Sequence, residues 1–158
     1  MSSVFNISTS GIVDCQGAIF PSVDGVQTVI DYNGSETIIF QMTGAVTPTF
    51  DFPVTFSRTG KNVVMAWDGF QKTRTGTDIL FTADLVPERF RPTIISGNPP
   101  VWLISIIDGS SLISPASFSA GVISFGDMGN ITIGRLDQTN FTNAYVGAFG
   151  SHISYYVP

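Results

Sequence analysis

His152 is the only histidine in the chain, and Cys15 is the only cysteine. A Ser-His-Asp triad would need that histidine as base, between a positioned serine and a carboxylate. Its surroundings, Gly150-Ser151-His152-Ile153-Ser154, read instead as a strand entering the C-terminus, and the chain holds no G-x-S-x-G elbow. A zinc centre needs three or four His, Cys or acidic ligands, which one His and one Cys do not supply. A lone cysteine also gives no intrachain disulfide, so Cys15 reads as a small buried hydrophobe. Glycoside hydrolysis needs two carboxylates across a cleft. Glu36 and Glu88 are the only glutamates, and nothing singles out a pair. Asp68, Asp108 and Asp127 each lie in a glycine-rich stretch. Oxygen clusters there could take calcium, but turns are where aspartate ordinarily goes. Phosphate-loop, dinucleotide and EF-hand patterns are absent. The expectation is a non-enzymatic protein with no metal and no cofactor.

Charge points the same way. Only 12% of the 158 residues are charged, with a formal net charge of −5. The seven cations are Arg58, Lys61, Lys72, Arg74, Arg89, Arg91 and Arg135; Arg89 and Arg91 are close together, and nothing else resembles a basic run. A nucleic-acid surface needs clustered Lys and Arg to neutralise phosphates, so no nucleic-acid partner is expected. The most apolar run, Val101 to Ile107, ends at Asp108-Gly109. That is strand length, far below the ~20 residues of a membrane helix, and no membrane insertion is expected. Met1-Ser2-Ser3-Val4 lacks the basic start and long apolar run of a signal peptide. Sequons at Asn6, Asn33, Asn130 and Asn140 would matter only in a secretory route.

The elements that must position these residues are strands. Glu and Lys number two each, while Gly, Ser, Thr, Val, Ile and Phe dominate; those residues favour strands and turns over helices. Turn signals recur every ~8–14 residues, the spacing of a sandwich or barrel. They include Asp24-Gly25, Asn33-Gly34, Thr43-Gly44, Asp68-Gly69 and Asp108-Gly109. The strands expected are Val26–Tyr32, Thr37–Met42, Pro53–Ser57, Asn62–Phe70, Asp78–Leu85, Val101–Ile107, Gly121–Phe125, Asn130–Arg135 and Ser151–Val157. Phe56 should face inward between polar neighbours, and Ile131 and Ile133 should share one face. Val122–Phe125 and Asn130–Ile133 flank a glycine-rich turn and read as a hairpin. Leu85 to Phe90 has room for one helical turn between Pro87 and Pro92. Residues 1–158 read as one all-β antiparallel sandwich domain, with residues 1–20 as an N-terminal arm or first strand.

Thirteen Phe, four Tyr and two Trp exceed what a sandwich of this size must expose to water. A symmetric oligomer would bury the excess and protect sheet edges that few lysines guard. Trp67, Trp102, Phe149, Tyr155 and Tyr156 are the candidates for a subunit interface. Tyr155 and Tyr156 must point to opposite faces of one strand, one into the core. Trp67 and Trp102 could alternatively stack on a sugar ring. Arg89 and Arg91 could pair locally with Asp84 or Glu88, or bridge subunits.

The most specific motif is Leu85-Val86-Pro87-Glu88-Arg89-Phe90-Arg91-Pro92. It resembles a segment of C-terminal head domains in bacteriophage and other viral fibres. In such heads a G-x-[IV]-x-[IV] hairpin follows, here Gly121–Phe125 and Gly129–Ile133, then Phe141-Thr142 and a last strand with Ser154-Tyr155-Tyr156-Val157. The resemblance covers roughly residues 60–157. It implies a jelly-roll sandwich of the C1q/tumour-necrosis-factor type, a homotrimer on the virion, and attachment to a host receptor or glycan. Loops on a rigid scaffold are where recognition concentrates, which makes Asp68, Gly69, Asn98, Asp108, Ser110 and Asp127 the candidate ligand residues. Rival readings are a capsid or capsid-decorating jelly roll, a carbohydrate-binding module and, last, a hydrolase on a sandwich.

Overall fold

The computed structural model describes residues 19–21, 27–29, 33–76, 78–93, 99–110 and 118–158. A short ladder joins β1 (Ile19–Pro21) to β2 (Gln27–Val29). The main sheet holds ten strands. They are β3 (Asn33–Gly44), β4 (Phe50–Thr59), β5 (Asn62–Trp67), β6 (Phe70–Thr73), β7 (Leu80–Thr82), β8 (Val101–Gly109), β9 (Phe118–Phe125), β10 (Ile131–Arg135), β11 (Tyr145–Ala148) and β12 (Ser151–Tyr156). Their order is β12-β5-β4-β3-β7-β10-β9-β8-β11-β6, and every pairing is antiparallel. The chain is therefore all-β with an antiparallel sheet, as the composition predicts.

The order contains the same device twice. β3, β4 and β5 lie side by side, and β7 returns beside β3. β8, β9 and β10 lie side by side, and β11 returns beside β8. Each is a Greek-key arrangement, and the β7–β10 pairing joins them.

A bent ladder wraps the sheet onto itself. β5 pairs with β12 from Asn62 opposite Tyr156 to Trp67 opposite Ser151. β6 pairs with β11 from Phe70 opposite Ala148 to Thr73 opposite Tyr145. Both ladders keep one register, interrupted only by Asp68-Gly69 on one strand and Phe149-Gly150 on the other. Strands that turn a corner in this way pass from one sheet layer to the next. The corner brings two backbones into contact: a Cβ on Gly150 would lie 2.9 Å from the Gly69 nitrogen. Trp67 Nε1 donates to the Phe149 carbonyl at 2.8 Å across it.

The curled sheet closes over an aromatic core. Inward residues alternate as Phe52, Val54 and Phe56 on β4, Val63, Met65 and Trp67 on β5, and Ile131 and Ile133 on β10. Rings from distant strands meet: Phe70 of β6 lies 5.1 Å from Phe50 and 5.4 Å from Phe52 of β4. Trp102 of β8 reaches Tyr155 of β12 at 5.5 Å. Such tilted and edge-on ring pairs add to the area term of burial.

The segment around residues 85–92 is a structural clasp. Glu88–Phe90 forms the short helical turn expected between the two prolines, here of 3-10 type. Phe90 is buried and stacks on Phe56 at 4.9 Å. Val86 N–H donates to the Gly129 carbonyl at 3.0 Å. Arg91 donates to the Val86 carbonyl and packs on Gly129, which takes φ of +93° and whose Cβ would lie 2.6 Å from the Arg91 Nε. Tyr155 Oη donates to the Phe90 carbonyl at 2.7 Å. Three stretches far apart in sequence, at residues 85–92, 126–130 and 155, thus meet.

Several expectations need correction. Asn33-Gly34 is not a turn but opens β3, because Thr59 and Arg58 of β4 stand opposite and complete its ladder. The expected strand Asn62–Phe70 is two strands, broken at the corner. Tyr145–Ala148 forms a strand that its loop-like sequence does not signal, held between β8 and β6. Of Val26–Tyr32, only Gln27–Val29 falls within the described residues. Arg89 pairs with Glu36, and neither Asp84 nor Glu88 is its partner in that bridge.

Candidate functional site

Asp108 was expected in an exposed turn, and the structure places it inside β8 with its side chain fully buried. Both oxygens are occupied. Asn143 N–H donates to Oδ1 at 2.8 Å and Thr142 N–H at 3.2 Å. Arg135 donates to Oδ2 and bridges onward to Asp137 at 3.0 Å. Arg74 grips the same stretch from its carbonyls, donating to Asn143 at 2.7 Å and Phe141 at 2.9 Å. Asp108 on the amides and Arg74 on the carbonyls clamp residues 141–143 between them. Burial opposes the charge on Asp108, but the hydrogen bonds from Asn143, Arg135 and Thr142 outweigh it and hold the carboxyl below its ordinary value. Such a satisfied carboxylate is a structural anchor and has no lone pair left for a ligand.

The remaining loop candidates do not converge. Asp68 and Gly69 are exposed at the corner, level with the middle of β8 through the Phe149–Ser105 backbone bond. Asp127 is exposed in the β9–β10 turn, beyond the Val101 end of β8. Ser110 is exposed past the opposite end of that strand. Nine residues of strand span ~30 Å, so Asp127 and Ser110 cannot serve one small ligand. Asn98 lies outside the described residues.

The interface candidates divide. Trp67 is 5% exposed and Tyr155 6%; both fill the core of their own chain and have no surface left to give a partner. Burial pushes the Tyr155 hydroxyl above its ordinary pKa of 10.0. Trp102 is half-buried against Phe125 and Tyr155. Phe149 is at the surface, and Tyr156, on the outward side of the last strand, is 76% exposed.

Register assembles a surface that the loop reading missed. On the outer face of β3, β4, β5 and β12, Ser35, Ser57, Val64 and Ser154 form one row. Thr37, Thr55, Ala66 and His152 form the next. Neither row carries an Asp, Glu, Lys or Arg. Ser35 and Ser57 hydroxyls bond at 2.9 Å, and Thr37 and Thr55 at 2.8 Å. Val64 and Ala66 form a low apolar floor, with Tyr156 standing beyond Asn62 at one margin. Each hydroxyl both donates and accepts, so the face offers uncharged, two-way hydrogen bonding beside apolar patches. The sequence holds a signal for it in the period-two pairs Ser35-x-Thr37 and Thr55-x-Ser57. Only the ladder shows that the four side chains are neighbours.

No protein family matches the sequence, and no curated protein matches it. Among solved structures, the chain resembles a reovirus attachment protein, sigma1, whose crystal structure is in complex with alpha-2,3-sialyllactose. The likeness covers 97% of this chain and 85% of that one, with a TM-score of 0.52 and 10% sequence identity. What the two chains share is an all-β fold with a curled antiparallel sheet.

Proposed function

We propose that this chain is a non-enzymatic viral attachment module. It is a jelly-roll head of the C1q/tumour-necrosis-factor kind, assembled as a homotrimer on the virion, that binds a host glycan or surface protein. The observation that carries this reading is the shared fold along nearly the whole chain with a viral attachment protein. Two Greek keys are the topology a jelly roll requires. The hydroxyl-rich face of β3, β4, β5 and β12 suits a polyhydroxyl ligand, because its groups can complement sugar hydroxyls in either direction.

Fluorescently labelled protein applied to a glycan array and to cultured host cells tests the reading. Saturable binding is expected. Thr55→Val and Ser57→Ala should each weaken glycan binding by roughly tenfold, about 1.4 kcal/mol, the loss of one well-formed hydrogen bond. Absence of binding to glycans and cells alike at micromolar protein, or turnover of an arrayed glycoside, overturns it.

A further inference from the structure

The outer face of β8 and β9 differs in kind from the hydroxyl face. Its register sets Leu103 opposite Val122, Ser105 opposite Ala120 and Ile107 opposite Phe118. Ile107 is buried, so the exposed surface runs from Leu103 across the small Ser105 and Ala120 to Phe118. Leu103 is 73% exposed and Phe118 53%. Phe149 packs edge-on against Phe118 at 4.9 Å and widens that ridge. Between the ridges lies an open hollow of about 500 Å³, floored by Ser105, Ser119, Ala120 and Ser151.

We infer that this face docks a second copy of the chain, with Leu103 of one copy entering the hollow of the next. The assignment rests on the oligomeric head proposed above and gives it a contact surface. A ridge on one copy that enters the hollow of the next makes a head-to-tail contact, the kind that a rotation closes into a ring such as a trimer. The area fits as well. The exposed parts of Val101, Leu103, Phe118, Leu136 and Phe149 sum to about 450 Å², taking roughly 150–200 Å² for a large apolar side chain. A standard interface buries about 800 Å² per partner, about 60% of it apolar, which is close to that figure. Charge disfavours a lipid surface as the occupant. Binding to anionic lipid needs Lys or Arg beside the apolar patch. The cation at this rim, Arg135, is already held by Asp108 and Asp137, and the chain carries −5 overall.

Sedimentation equilibrium of the full chain at micromolar concentration tests the assignment. Wild type should run at a multiple of 16.9 kDa. Leu103→Lys and Ala120→Arg should weaken association at least tenfold, with the far-ultraviolet circular dichroism of the folded chain unchanged because both side chains are exposed. Ile39→Lys, on an exposed side chain of β3, should leave the mass as it is. A monomeric wild type, association that survives both β8–β9 variants, or equal loss in Ile39→Lys overturns the inference. The glycan and cell assays, run on the monomeric variant, report on attachment independently of this outcome.

Discussion

Asp108 shows how a residue that looks functional can be committed to the fold. Its carboxylate and the Arg74 guanidinium hold opposite polar groups of residues 141–143. Asp108→Asn should destabilise the chain by about 2–3 kcal/mol near neutral pH, since charged hydrogen bonds are worth more than neutral ones. Because its folded pKa is lowered, the stabilisation is complete above the ordinary value of 3.8 and is lost as pH falls below it. Urea melts at about pH 7 and about pH 3 should show a larger acid loss in wild type than in the variant. Equal acid loss in both would place the acid sensitivity elsewhere. The sequence could not distinguish this aspartate from Asp68, because an Asp-Gly pair reads the same in a turn and at the end of a buried strand.

At the scale of elements, the corner is the decisive feature. Asp68-Gly69 and Phe149-Gly150 let one antiparallel ladder bend without losing register. Gly150→Ala would bring a Cβ to 2.9 Å from the Gly69 nitrogen, so one backbone must shift. A loss of about 2 kcal/mol is expected from such overpacking, measured by chemical denaturation. A neutral result would mean that the corner opens more freely than its contacts indicate. The hairpin of β9 and β10 and the prolines around Glu88–Phe90 were legible, since turn chemistry acts over a few residues. β11 was not, because Tyr145–Ala148 becomes a strand only through β8 and β6 on either side.

Across the whole molecule, two faces of one curled sheet carry different chemistry. One is apolar and is the face proposed to dock another copy; the other is hydroxyl-rich and is the face proposed for the ligand. Charge contributes little to either. Ligand binding should therefore change less than about threefold between about 50 mM and about 500 mM NaCl, where charge-driven association falls steeply. Titration of the bound glycan across that range measures it. A loss of tenfold or more would assign recognition to the scattered cations instead.

By itself the sequence determined the class of the protein. Scarce charge, abundant β-branched and aromatic residues and regular turn signals permit an antiparallel β-fold and little else, because these are local preferences of chain and solvent. It also carried the clasp motif, Leu85 to Pro92, as a pattern without a reason. Only the tertiary structure supplied that reason, by bringing Val86, Gly129, Phe90 and Tyr155 together. The tertiary structure likewise decided that Trp67 and Tyr155 are core, that Asp108 is an anchor, and that Ser and Thr from separate strands form one surface. Each of these depends on register between strands distant in sequence, and no local preference encodes register.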